Sequence, residues 1–397
     1  MRYRYIGETD DRGLAHGQGE DVNELGDMFE GQFVDDEMHG KGTCLYANGD
    51  FYEGLWKEGK HHGQGTCTFA NGDCYEGQWK DGEMSGQGIL DYANGDRYEG
   101  QWMSDYYHGH GILEIESGRY EGHWKDGEMS GQGILDYANG DRYEGQWNNS
   151  EKHGQGIYDF ENGDRYEGQW KDGNYHGHGI LEIESGRYEG HWKDDYFSGQ
   201  GIFEDSNGDR YEGQFKDGKR HGHGISEQTD GERYEGQWKD SAYHGYGIVD
   251  YRNGGRYEGQ WKDNKRNGKG TYDFSDGGRY EGHWKDNKLH GHAISYLADG
   301  ARYEGRWKDG NYHGEGIWKA ADGTYVEGQW KEGKMHGRMF FCYISEKVTA
   351  LFEHGEFVSS EVIKSMSRED LTVEILKLKE KINQLKQPNI QDDSEIN

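Results

Sequence analysis

The sequence has one proline in 397 residues, four cysteines, and little of the aliphatic stock from which ordinary cores are built. Leucine, isoleucine, valine and phenylalanine together number 55, about 14% of the chain. An ordinary domain carries more than roughly 20%, and a poorer chain with a high net charge is expected to be disordered. The net charge is indeed −31. Yet the near-absence of proline and an aromatic content of 14% both oppose disorder. Together these shortages exclude an oily globule and a plain disordered chain. What remains is a repetitive architecture held by aromatic rings and by glycine, of which there are 68.

Other classes are excluded in the same way. The longest apolar run, Met339 to Ile344, is far too short to span a bilayer. The opening Met1 to Tyr5 has no apolar signal region. The acidic excess opposes nucleic acid and anionic bilayers by charge alone, so no nucleic-acid partner is expected. Cys44 and Cys67 occupy one site in successive repeats, Cys74 lies a strand on, and Cys342 is remote. That pattern reads as reduced thiols in a cytoplasmic protein, not as a disulfide framework.

What is present is a repeat. Tyr-Glu-Gly begins at Tyr52, Tyr75, Tyr98, Tyr120, Tyr143, Tyr166, Tyr188, Tyr211, Tyr234, Tyr257, Tyr280 and Tyr303, with variants at Phe29 and Val326. The spacing is 23 residues, except 22 from Tyr98 to Tyr120 and from Tyr166 to Tyr188. A looser copy opens at Tyr5, which makes about fifteen units. Every tryptophan except Trp318 follows an anchor by four residues. Gly122 to Trp147 copies Gly77 to Trp102 but for His123 in place of Gln78, as recent internal copying would leave it.

Each unit reads as a hairpin. In Gly86 to Trp102, Asn94-Gly95 supplies a turn between two short strands. Tyr98, Gly100 and Trp102 share one face of the second strand, and Arg97, Glu99 and Gln101 the other. A three-residue loop is required to bring Leu90 and Tyr92 onto the face of Tyr98 and Trp102. The shorter unit, Leu113 to Tyr120, reaches the same alignment with a two-residue loop, whereas any other choice would turn a strand inside out. The expected aromatic face includes Tyr98, Trp102, Tyr120, Trp124, Tyr143, Trp147, Tyr166 and Trp170. Gly100 leaves a slot in which a neighbouring ring can lie flat, and Gly86 and Gly88 bracket the link between hairpins.

Tyr-Glu-Gly-Gln-Trp-Lys-Asp-Gly followed by His-Gly-x-Gly resembles the MORN repeat (membrane occupation and recognition nexus) over roughly residues 5 to 340. The resemblance implies an all-β fold: an elongated single-layer antiparallel sheet of tandem hairpins, here with a C-terminal α-helix. It also implies a non-catalytic role, since such arrays form parts of ciliary and cytoskeletal scaffolds, membrane-junction proteins, lipid kinases and lysine methyltransferases. The stretched first unit resembles the opening unit of MORN-type radial spoke head proteins of cilia. Val326 in place of the anchor tyrosine and Ala293 in place of a glycine depart from the pattern. The organisation expected is a degenerate first repeat over 1–28, tandem repeats over 29–340, an irregular capping segment over 341–366, a helix over 367–387 and a disordered tail over 388–397.

That helix begins at a capping box, Ser367 to Asp370. Leu371, Ile375, Leu378, Ile382 and Leu385 then follow a heptad pattern, with isoleucine at a and leucine at d. Two readings stand side by side: a short parallel coiled coil that makes a homodimer, or a helix that folds back to cap the sheet.

Nothing in the sequence assembles an active site. The His-Gly-His pairs at 108–110, 176–178, 221–223 and 290–292 offer two ligands each, where zinc takes three or four. No phosphate loop or nucleophile elbow appears, so no enzyme activity, metal or other cofactor is expected. The function expected is a scaffold presenting an extended surface to protein partners in a cytoskeletal or ciliary assembly. The alternative is a peripheral module that binds phospholipid, phosphoinositides included, through weak contacts and links membrane to cytoskeleton. The locations to match are the cytoplasm, the cilium, the cytoskeleton or the membrane periphery.

Overall fold

The computed structural model describes residues 4–343 and 346–362 and, in the C-terminal helix, residues 372, 373, 375–377, 379, 380 and 382. The fold is all-β, with 32 strands from Arg4–Thr9 to Glu356–Val362. The chain divides into two compact units, one up to Ser206 and one from Asn207, with Lys216–Gly218 belonging to the first. Within each, strands pair antiparallel with their neighbours in chain order and form an open, single-layer sheet. In the first unit, for example, Glu83–Asp91 pairs with Arg97–Met103, that with Tyr106–Ile115, and that with Gly118–Lys125.

Two kinds of turn alternate. On one edge Ala93-Asn94-Gly95 forms a three-residue loop, closed by Tyr92 N–H to Asp96 C=O and by Gly95 N–H to Tyr92 C=O, both 2.9 Å. Leu90 therefore faces Tyr98 across the pair. In the 22-residue unit Ile115 pairs directly with Gly118 around a two-residue loop, and Leu113 still faces Tyr120. The one-residue deletion is thus absorbed in the turn and no strand changes face.

On the other edge the link between hairpins is a two-residue turn with both residues left-handed, such as Asp81 (φ 53°) and Gly82 (φ 95°). This corrects the expectation that Gly86 and Gly88 bracket the link. Gly86, at φ 63°, lies inside a strand at a bulge, where the register shifts between the pairs Gly77–Gly88 and Trp79–Met84. Where a glutamine follows Tyr-Glu-Gly it fills such bulges: Gln146 Oε1 accepts from the Gln155 amide at 2.9 Å, and Gln169 Oε1 from the His178 amide at 2.9 Å.

Neighbouring hairpins are also stitched along the loop edge. The Asp73 carboxylate accepts from the Ala93 amide at 2.9 Å, and Asp50 from the Ala70 amide at 2.8 Å. In later units Gly255, Gly278, Ala301 and Thr324 replace this aspartate and are buried.

At the C-terminus Lys334–Tyr343, Glu346–Glu353 and Glu356–Val362 continue the sheet, with a register shift between Leu351 and Phe352 in the last pair. Ile375 is fully buried in the helix that follows, Ile382 is 8% exposed, and Val373 and Leu376 face solvent. Ile382 borders a cavity of about 230 Å³ beside Trp330 and Met335, and Lys379 Nζ donates to Glu356 Oε2 at 2.9 Å. Leu371, Leu378, Leu385, the capping box and the tail lie outside the described residues.

Candidate functional site

The two faces of the sheet do different work, and the aromatic face holds the fold. Tyr98, Tyr143 and Tyr166 are fully buried, Tyr120 is 2% exposed, and Trp102, Trp124, Trp147 and Trp170 are 4–5% exposed. A single-layer sheet buries them by laying each tyrosine flat on its own glycine floor. A Cβ at Gly111 would stand 2.2 Å from the Tyr98 hydroxyl oxygen, and one at Gly100 2.7 Å from it. The ring over Gly100 is therefore Tyr98 itself, not a neighbour's. Its hydroxyl donates to the Gln101 carbonyl at 2.9 Å, while the Trp102 indole N–H donates to the Gly88 carbonyl at 3.2 Å. Tyr98 meets Trp102 edge to face at 5.1 Å and Trp124 at 5.7 Å, so the ring ladder runs from hairpin to hairpin. Each such pair contributes about 0.5–1.5 kcal/mol beyond burial.

Sequence reasoning missed the lid on this face. In many units the residue before His-Gly or Ser-Gly lies over the anchor ring. Tyr107 stacks on Tyr98 at 3.7 Å, His61 on Tyr52 at 3.6 Å and Phe197 on Tyr188 at 3.8 Å. Lys152 and Arg220 take the same place as cations, with Lys152 Nζ 4.2 Å from the Tyr158 centroid and 4.6 Å from that of Trp170. Burial pushes the Lys152 ammonium down to about 8 and the His61 imidazole to about 4. Because the position accepts such different chemistry, no residue type marked it in the sequence.

The opposite face is polar and accessible. Its central row alternates the glutamate of Tyr-Glu-Gly with isoleucine or threonine, as in the pairs Ile89–Glu99 and Ile112–Glu99. Beside it runs a ladder of ion pairs. Arg97 bonds Asp91 across the strands at 2.6 Å and lies 3.4 Å from Glu99 on its own strand. The pattern recurs at Arg142, with Asp136 at 2.6 Å and Glu144 at 3.4 Å, and at Arg165, with Asp159 at 2.7 Å and Glu167 at 3.5 Å. These are exposed pairs, each stabilising by about 0–1 kcal/mol, so they define the surface more than they hold it.

The histidines separate into two sets. The first of each His-Gly-His points toward the next link turn, as His108 Nδ1 does toward Asp126 at 3.8 Å. The second lies on the polar face, where His110 meets His123 at 5.7 Å. Among the described residues no group of three or more histidine, cysteine or acidic side chains could hold a metal. Burial raises the Cys44 thiol to about 11 and the Cys67 thiol to about 12, which keeps both protonated and unreactive. No helix among the described residues is long and apolar enough to cross a membrane.

No curated protein matches the chain significantly. Among solved structures, the chain is similar at 16% identity and a TM-score of 0.25 to the TCP domain of SAS-4 (dCPAP) of Drosophila melanogaster, solved with a proline-rich motif of Ana2 (dSTIL). That match covers 42% of this chain and 90% of the other. A streptogramin B lyase matches at 12% identity and a TM-score of 0.13, over 83% of this chain and 95% of its own. Scores this low carry no functional argument. Sequence-family comparison does. Fourteen segments, together covering residues 29–118, 120–186, 188–325 and 327–338, match the MORN repeat. With that repeat across most of its length, the chain belongs to the MORN-repeat family.

Proposed function

We propose that this protein is a non-enzymatic repeat scaffold whose polar face binds protein partners, in a cytoskeletal or ciliary assembly. The observation that carries the reading is the division of labour between the faces. The rings of the anchor ladder are spent within the sheet, while the glutamate, isoleucine and arginine rows recur toward solvent in unit after unit. A surface repeated in this way suits an extended or multivalent partner better than a single small substrate. The phospholipid reading is weaker, because the ladder arginines already hold carboxylates and a net charge of −31 repels an anionic leaflet. Self-association through the C-terminal helix would require Ile375 and Ile382 to leave their buried places.

The test is proximity labelling in ciliated cells beside sedimentation with phosphoinositide vesicles at low and high salt. The scaffold reading expects axonemal or cytoskeletal proteins among the labelled set and no salt-resistant vesicle binding. Vesicle binding without protein neighbours would overturn it.

A further inference from the structure

The ion-pair ladder stops short of the first repeats. From Arg97 onward the glutamate of Tyr-Glu-Gly has an arginine two residues before it. At the same position the units anchored at Phe29, Tyr52 and Tyr75 carry Met28, Phe51 and Cys74. Glu30, Glu53 and Glu76 are exposed there, with no ion-pair partner among the described residues. The cross-strand acid is missing too: Leu45 and Thr68 stand where Asp91 stands in the next hairpin. Met28, Leu45, Phe51 and Leu55 are 37–49% exposed.

Met28, Leu45 and Phe51 form a row on one side of these glutamates; on the other side, where Leu55 stands, the surface opens into a groove of about 660 Å³, lined by Glu30, Glu53, Glu76, Thr43, Thr66 and Leu55. Later hairpins place isoleucine, as at Ile89 and Ile112, where these two threonines stand, so the shorter side chains make the trough. Lys41 is the single cation in the lining.

We propose that this groove binds an extended basic segment of a partner protein, with lysine or arginine at about every third residue and large apolar side chains between. The proposal deepens the scaffold reading and rests on it. Successive glutamates stand two strands apart, ~9.6 Å at sheet spacing. An extended left-handed helix of three residues per turn advances ~9.3 Å per turn, so every third side chain meets a carboxylate. A β-strand presents one face every ~6.7 Å and falls out of step. Apolar side chains flank the glutamates on both sides, Met28 and Phe51 two residues before and Leu55 two residues after, each ~6.7 Å along its strand. Unpaired carboxylates beside exposed apolar side chains thus select cationic side chains with apolar neighbours.

The experiment is fluorescence anisotropy on the full chain, with a labelled peptide of four Lys-Pro-Leu repeats as probe. Glu53→Arg with Glu76→Arg is expected to weaken binding at least ~10-fold, since two close charge contacts become repulsions. Glu144→Arg, on the already paired part of the face, should leave it unchanged. All three side chains face solvent, so equal melting temperatures verify that the variants fold. Undetectable binding of the probe, or equal binding by wild type and double variant, overturns the proposal. So does wild-type binding to phosphatidylserine vesicles that the probe displaces, because it gives the groove to a membrane. Crosslinked partners from cells separate the two levels. If wild type and double variant capture the same proteins, the scaffold reading stands and this groove falls. If wild type captures none, the scaffold reading falls.

Discussion

The hairpins of Tyr98 and Tyr280 share the same anchor and differ in their floor by one methyl group. Under Tyr98, Gly100 pairs with Gly111, and the ring lies flat across both. Under Tyr280, Gly282 pairs with Ala293. The Tyr280 ring stays 3% exposed but stands 6.4 Å from Trp284 at an interplanar angle of 40°, where Tyr98 meets Trp102 at 5.1 Å and 85°. It leans on Phe274 instead, edge to face at 4.9 Å. Among the described residues it lacks the hydroxyl bond to the carbonyl three residues on that Tyr257 and Tyr303 keep. At Val326 there is no ring, and the Met339 sulfur fills the place over Gly328. The glycine pair, not the Tyr-Glu-Gly motif itself, decides where the ring goes.

Gly111→Ala should break this comparison most visibly. It puts a methyl under Tyr98 and should cost about 2–3 kcal/mol, from one buried hydrogen bond and weakened ring pairs. Denaturant unfolding measures it, and an unchanged midpoint would mean that the floor does not set the ring. Acid should act next, through the lid over Tyr52. Burial holds His61 near 4, below its ordinary 6.5, so the unfolded chain binds the extra proton between those values. Its stabilisation is present above pH 6.5 and lost as pH falls toward 4, a change of about 1–2 kcal/mol by pH 5 after allowing for partial exposure. His61→Phe, which copies the lid that Phe197 makes over Tyr188, should flatten that pH dependence in thermal melts; an equal slope in both proteins would remove the imidazole as its cause.

Smaller effects sharpen the contrast between early and late units. Asp73→Ala removes the stitch to the Ala93 amide and should cost about 1 kcal/mol, read most directly as faster hydrogen exchange at that amide. Ala293→Gly should let Tyr280 settle beside Trp284. The gain should stay below about 1 kcal/mol, because the added glycine entropy offsets part of it. Near-ultraviolet circular dichroism would follow the ring, and a spectrum identical to the parent's would show that Ala293 does not hold it away.

Periodicity and loop length made the hairpins and their register legible, because a single slipped residue exposes a whole apolar set. The 22-residue units were the informative ones, since only one pair of loop lengths kept Leu90 and Leu113 on the same face. The link turn was misplaced because Gly86 and Gly82 look alike in one dimension, although one lies at a bulge and the other in a turn. The lid escaped notice because Tyr107, Met129 and Lys152 share a position but no chemistry. The candidate groove was legible only in part. The missing arginines at Met28, Phe51 and Cys74 can be seen in the sequence, but their meaning depends on the ion pairs that Arg97 and its successors make.

The reach of these contacts bears on inheritance. A tryptophan indole bonds a carbonyl 14 residues back, and a turn aspartate bonds an amide 20 residues on. Each stays within a hairpin and its immediate neighbour. A recombination that inserts or removes one whole unit between like neighbours therefore leaves the contacts at each junction in place. Point changes at the glycine floor meet immediate steric resistance, while changes in unit number meet little. The near-verbatim blocks Gly77 to Trp102 and Gly122 to Trp147 are what unequal crossing-over leaves under that rule.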